Sequence, residues 1–209
     1  MERDAERAND DGHEASFAAG AYRVRGDVDL ARERLILAAQ HYSLAAHCYA
    51  EAAVERLRDS RRAGGEQGSK ERELACAGCG NAAAAYWYAG RAYADAAEFE
   101  RAAEAMAAAA GSYVAEAQLR EEHGGPSEGF TLRRMANFRY LDAARYFMQA
   151  VAAHTGRSEE LQAEGRHQNA ALERSRAERL ERRARDATCK AGDEAPKYHA
   201  EYQQTYQGG

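Results

Sequence analysis

The stretch Asn81–Tyr113, NAAAAYWYAGRAYADAAEFERAAEAMAAAAGSY, decides the fold class. Tyr86, Gly90, Tyr93 and Ala97 are separated by steps of four, three and four residues, and Phe99, Ala102, Met106, Ala109 and Tyr113 repeat that rhythm. Side chains spaced in this way share one side of a helix, whereas a strand would send alternate residues to opposite faces. The stretch therefore predicts a helical hairpin with an apolar stripe on each arm. Gly90, Ala102 and Ala109 lack bulk and let a neighbouring backbone approach, while the aromatic and methionine side chains between them fill the gaps.

Composition extends this reading to the whole chain. Two prolines in 209 residues, abundant alanine and sparse Val and Ile favour an all-α fold over any sheet. The length suits one domain with its own core. A formal charge of -5, spread along the chain, argues against nucleic acid as a partner. The N-terminus MERDAERANDDG has no apolar leader core, and no run approaches the roughly 18 apolar residues of a membrane span. The expectation is a cytoplasmic protein without membrane insertion. Cys48, Cys76, Cys79 and Cys189 are too few and too unevenly spaced for a secreted disulfide framework, and are read as mostly reduced.

In chain order, residues 1–11 read as a disordered N-terminus, 12–187 as the helical domain and 188–209 as a flexible tail. Within the domain, Glu14–Arg25 predicts a first helix, with Gly26-Asp27 as stop and cap. Val28, Ala31, Leu35, Ala38, Tyr42, Ala45, Tyr49 and Ala52 carry a long second helix to about Ser60, and RRAGGEQGSK, Arg61–Lys70, reads as a loop. Helices over 71–95 and 98–122 form the central hairpin, ending at His123-Gly124-Gly125-Pro126. A fifth helix over 128–154 places Ala136, Tyr140, Ala143, Phe147 and Ala150 on one stripe, and Gly156 reads as its stop. The segment 157–187 interleaves Arg with Glu and Asp at helical spacing, which predicts a solvated capping helix or one that pairs with a second copy. In the tail, Tyr198, Tyr202 and Tyr206 recur every four residues.

These motifs resemble the tetratricopeptide (TPR) repeat family, whose first helix carries Gly-x-x-Tyr and whose second carries aromatic-x-x-Ala-x-x-x-aromatic-x-x-Ala. The matching residues are Gly90 and Tyr93, then Phe99, Ala102, Met106 and Ala109. Residues 12–40 match with Gly26 at the turn and Val28, Ala31, Leu35 and Ala38 after it. Tyr140, Ala143, Phe147 and Ala150 resemble a further second helix without a good first helix before it. The long helices and the motif AAHCYAEAA are also similar to the TPR-related SNAP adaptors. The resemblance implies antiparallel hairpins stacked as a right-handed array, with a peptide or protein ligand on the inner face of the first helices. It carries that role onto Trp87, Tyr88, Arg91 and Asp95, and onto His13, Phe17 and Arg23.

The residues themselves add further candidates. Trp87, Arg91 and Asp95 lie four residues apart, rotated away from the Tyr86–Gly90–Tyr93 stripe; a Trp with an Arg can anchor an interface or pack on a neighbouring helix. Arg134, Phe138 and Arg145 mark a second face on the fifth helix, suited to an acidic peptide or to glutamates of adjacent helices. Cys76-Ala-Gly-Cys79 is a CxxC just before the central helix, where a helix N-terminus would lower a thiol pKa; a metal site would need further ligands. Glu164-x-x-His167 has the spacing of a di-iron ligand pair in a single copy. Phosphate loops, nucleophile elbows and H-E-x-x-H are absent. The expected function is a non-enzymatic scaffold that binds a protein or peptide, with no catalytic residue and no cofactor. A CxxC thiol or metal protein and a subunit that self-assembles through 157–187 are the alternatives.

Overall fold

The computed structural model describes residues 1–124 and 127–192. Among them the chain forms six helices and no strand: α1 (Glu2–Arg25), α2 (Val28–Ala63), α3 (Gly65–Asp95), α4 (Phe99–Gly124), α5 (Phe130–Ala163) and α6 (His167–Ala191). Each helix packs chiefly on its neighbours in sequence, as short connections between antiparallel rods require. No described helix is long and apolar enough to cross a membrane.

Three of the turns are built alike. At the end of α1, the Asp27 N–H donates to the Tyr22 carbonyl and the Gly26 N–H to Arg23. After α3, Glu98 donates to Tyr93 and Ala97 to Ala94; after α5, Arg166 donates to Leu161 and Gly165 to Gln162. This is the paired bonding of a left-handed helix stop, and it needs a positive φ at the central residue. Gly26 and Gly165 supply it at φ 83° and 75°, while Ala97 adopts 60°, the only such non-glycine residue described. The strain at Ala97 is tolerated because α3 and α4 pack tightly on either side.

The packing around these turns recurs as well. Ala19, Gly90 and Ser158 hold equivalent positions before the turn, and all three are buried. Ala31, Ala102 and Ala170 follow it in the first turn of the next helix, and Ala38, Ala109 and Ala177 lie two turns further on; all six are buried. Their small size permits close approach. A Cβ on Gly90 would lie 2.9 Å from the Met106 methyl, and the Ser158 hydroxyl donates to the Ala170 carbonyl at 2.9 Å. The described residues thus form three hairpins, α1–α2, α3–α4 and α5–α6.

Several expectations need correction. Residues 2–11, read as disordered, are the first turns of α1; Ala5 and Ala8 are buried, and Gly12 packs on the Tyr42 ring. A stripe of small residues in polar sequence escapes notice because its contribution is closeness rather than hydrophobic bulk. The Arg61–Lys70 loop shrinks to a break at Gly64, and Gly68 in α3 already packs on the Ser60 carbonyl. Gly156 does not stop a helix: α5 runs through it to Ala163. Tyr140, Ala143, Phe147 and Ala150 consequently belong to the first arm of the third hairpin, and α6 is its second arm. The start of the expected tail, 188–191, closes α6 with Gly192 as its cap, and the rest of the tail call, 193–209 with its tyrosines, lies outside the described residues.

The core is mostly alanine. One cluster joins α4, α5 and α6 through Met106, Phe147 and Leu180; another joins α1 to α4 around Tyr42. Side-chain contacts sort the helices into two layers. His13, Tyr88, Trp87 and Arg139 connect α1, α3 and α5, whereas Arg183 of α6 donates to Glu104 of α4 at 2.9 Å.

Candidate partner-binding face

The outward stripe of α3 runs Leu74, Ala77, Asn81, Tyr88, Arg91 and Asp95, all exposed, in steps of three, four and seven residues. It adjoins the Ala82, Ala85, Ala89 and Ala92 side, which is buried. Tyr88 keeps 38% of its surface and Phe17 of α1 keeps 83%. Large apolar side chains left in water on one face are the raw material of an interface.

An aromatic row crosses this face. Tyr88 stacks on Tyr42 with centroids 5.3 Å apart, His13 meets both rings edge-on at 5.2 and 5.5 Å, and Trp87 lies 5.0 Å from Tyr88. The Tyr42 hydroxyl lies 2.9 Å from His13 Nδ1. Burial, helped by Tyr88, pushes the Tyr42 phenol up to about 12, so it holds its proton and can donate to the imidazole. Such edge and offset contacts fix ring orientation beyond what burial alone would do.

Trp87 is half-buried and packs against the α4–α5–α6 core, which matches its reading as a residue that packs on a neighbouring helix. Two guanidiniums lie over its ring, Arg91 at 5.4 Å and Arg139 at 5.3 Å. Arg139 is buried and donates to the equally buried Asp142 at 2.7 Å, and Arg145 approaches the same carboxylate at 3.7 Å while lying 4.8 Å over Tyr146. Arg91 stays exposed. Arg23 donates to the backbone carbonyl of Asp95 at 3.2 Å, tying the ends of α1 and α3 together.

The structure thus brings His13, Trp87, Tyr88 and Arg91 into one contact row, with Arg23 and Asp95 at one end. Phe17 stands one turn beyond His13 and makes no part of the ring contacts. Arg134 is exposed on α5, but Phe138 is only 8% exposed and is a core residue rather than a contact for a partner. Sequence reasoning passed over Tyr42, Arg139 and Asp142. Tyr42 was on a packing stripe, and the Arg139–Asp142 spacing of three residues is common on solvated helices, so only burial distinguishes it.

The other chemical candidates separate from this face. Cys76 and Cys79 sit in mid-α3, not ahead of it, so no helix N-terminus stabilises a thiolate. Burial raises both thiols, Cys79 to about 11. Among the described residues no group of three or more His, Cys, Asp and Glu is placed to hold a metal. Glu164 ends α5, Gly165 turns the chain at φ 75°, and His167 opens α6, so that pair does not share a helical face. The arginines of α6 pair largely with nearby acids and amides, as Arg176 does with Glu173 and Arg185 with Glu181. The apolar stripe of α6 is used on α5, although Leu172 points outward.

No protein-family model matches the chain, and neither does any curated protein or solved structure.

Proposed function

We propose that this protein is a non-enzymatic interaction scaffold: three TPR-like hairpins in a right-handed array, holding a protein or peptide on the face shared by α1, α3 and α5. The threefold recurrence of left-handed turn, buried small residue and paired alanines is the observation that carries the array. The contact surface comprises Phe17, Tyr88 and Arg91, with His13, Trp87, Arg23, Asp95, Arg134 and Arg145 around them. Exposed aromatic rings beside arginines give a partner both apolar area and directed bonds. The packing beneath, Tyr42 under Tyr88 and Arg139 on Trp87, keeps those groups in fixed orientations, which lowers the entropy lost on binding.

The test is affinity capture with the wild type and the double variant Phe17→Ser/Arg91→Glu. Both substitutions are at exposed positions, so the melting temperature should hold. The reading expects a specific protein recovered with the wild type to be lost with the variant. Equal recovery of that protein by both would reject this surface.

A further inference from the structure

The outer side of α1 carries an apolar stripe two turns long. Phe17, Gly20, Ala21 and Val24 stand at i, i+3, i+4 and i+7, and all four are exposed, Phe17 at 83% and Val24 at 89%. They lie opposite the Ala5, Ala8, Gly12, Ala15 and Ala19 side by which α1 packs on the molecule. A Cβ on Gly20 would meet nothing within 4 Å, so the middle of the stripe is open.

The order of sizes along this stripe, large, small, small, large, is the same read in either direction. A two-fold axis perpendicular to α1, passing between residues 20 and 21, sets a second α1 alongside in the antiparallel sense. Phe17 then lies level with Val24 of the second copy, and Gly20 level with Ala21. Small residues at the centre let the two helices close, while the large ones interlock on either side, and one patch serves both copies as an isologous contact requires.

Charge complements the same arrangement. Asp10, Asp11 and Glu14 precede the stripe, whereas Arg23 and Arg25 occupy the last turn of α1, so an antiparallel copy sets the acidic half of each helix beside the basic half of the other. Glu14, Ala21 and Arg25 follow one another at seven and four residues, which places both charges along one edge of the stripe. Arg25 comes four residues after Ala21, and Glu14 six before Gly20. Across the axis the two therefore differ in level by two residues, about 3 Å, within reach of two long side chains. Both are exposed, and neither has a hydrogen bond or ion pair among the described residues. α3 borders the other edge, where His13 meets Tyr88 and Arg23 reaches the Asp95 carbonyl, so it stands clear of this pair.

We propose that a second copy of this chain covers the outer side of α1. The contact is an antiparallel α1–α1 pair about a two-fold axis, with Phe17 against Val24 twice and two Glu14–Arg25 ion pairs along one edge. It rests on the reading of the Phe17 surface as a contact surface, and commits the α1 part of that surface to self-association.

Light scattering of the full chain across a concentration series tests this. The wild type should pass from one chain mass to two below about 100 μM, the range of a weak but specific contact. Val24→Ser should raise the dissociation constant about tenfold or more, because symmetry removes the apolar contact twice. Glu14→Arg and Arg25→Glu should each do likewise by setting like charges against each other. The double variant Glu14→Arg/Arg25→Glu should regain the wild-type constant, and so should an equimolar mixture of the two single variants, since opposite charges meet again in both. Damage to α1 itself would not be repaired by mixing. A wild type still monomeric at about 100 μM, single charge variants that dimerise like the wild type, a mixture that fails to recover, or masses beyond two chains overturns the proposal. These variants leave Tyr88 and Arg91 untouched, so the capture of another protein through Arg91 is a separate result.

Discussion

The Arg139 guanidinium donates to Asp142 at 2.7 Å with both side chains buried, while the same guanidinium lies 5.3 Å over Trp87. One buried charge pair thereby couples α5 to the tryptophan of α3. Removing one partner from such a pair leaves a costly charge, whereas removing both can be nearly neutral. Arg139→Leu should lower the unfolding free energy by about 3 kcal/mol, and Arg139→Leu/Asp142→Leu by distinctly less. Urea denaturation of the two variants checks this. A double variant as unstable as the single one would mean that the pair itself, rather than the carboxylate left with only its weaker contacts such as Arg145 at 3.7 Å, supplies the stability.

Glycine substitutions should separate close packing from open surface. A Cβ on Gly68 would lie 2.8 Å from the Ser60 carbonyl oxygen, and that backbone cannot swing aside, so Gly68→Ala should cost about 1–3 kcal/mol. Gly20 and Gly111 are helical with nothing within 4 Å, so alanine there should stabilise by about 0.5–1 kcal/mol. Thermal melts of the three variants should therefore move in opposite directions.

Glu173 and His154 predict an acid-sensitive joint between α5 and α6. His154 Nδ1 lies 2.5 Å from the Glu173 carboxylate, and this hydrogen bond is the main cause holding the carboxyl below its ordinary value of 4.5. The folded state then binds its proton less readily than the unfolded state. Stability from this contact is present above pH 4.5 and falls as the pH drops through the folded-state value. Glu173→Gln should flatten the acid limb of a stability–pH curve; an unchanged limb would remove the contact from the account.

Cys79 should behave as a buried thiol at the alkaline end. Its folded-state value of about 11 exceeds the ordinary 9.0, so the unfolded state loses the proton first and stability declines as pH rises above about 9. At pH 8, exposed Cys189 should react with iodoacetamide faster than Cys79, and the Cys79 rate should keep climbing toward pH 11. Peptide mass spectrometry across pH gives both rates, and equal rates at pH 8 would contradict the burial.

Much of the fold was legible because helices announce themselves locally. The central hairpin followed from steps of three and four residues, and Gly26 marked the turn of the first hairpin because glycine reaches positive φ without strain. Ala97 makes the equivalent turn with no such signal, since only the packing of α3 on α4 selects that conformation. At Gly156 the local signal misled in the other direction: helix contacts on both sides outweigh a glycine cost of about 1 kcal/mol. The third hairpin was missed for that reason. Of the candidate face, Trp87, Tyr88, Arg91 and His13 were singled out from spacing and resemblance, while the burial of Phe138 depended on how α5 turns toward its neighbours.

By itself the sequence determined an all-helical chain and the stripe by which each rod packs, because 3.6-residue periodicity is a property of neighbours along the chain. Only the tertiary structure decided that residues 2–11 join α1, that Arg139 and Asp142 are taken out of water, and that His13 meets Tyr88. Those outcomes depend on distances between rods, and small residues set such distances through closeness that no single helix can express alone.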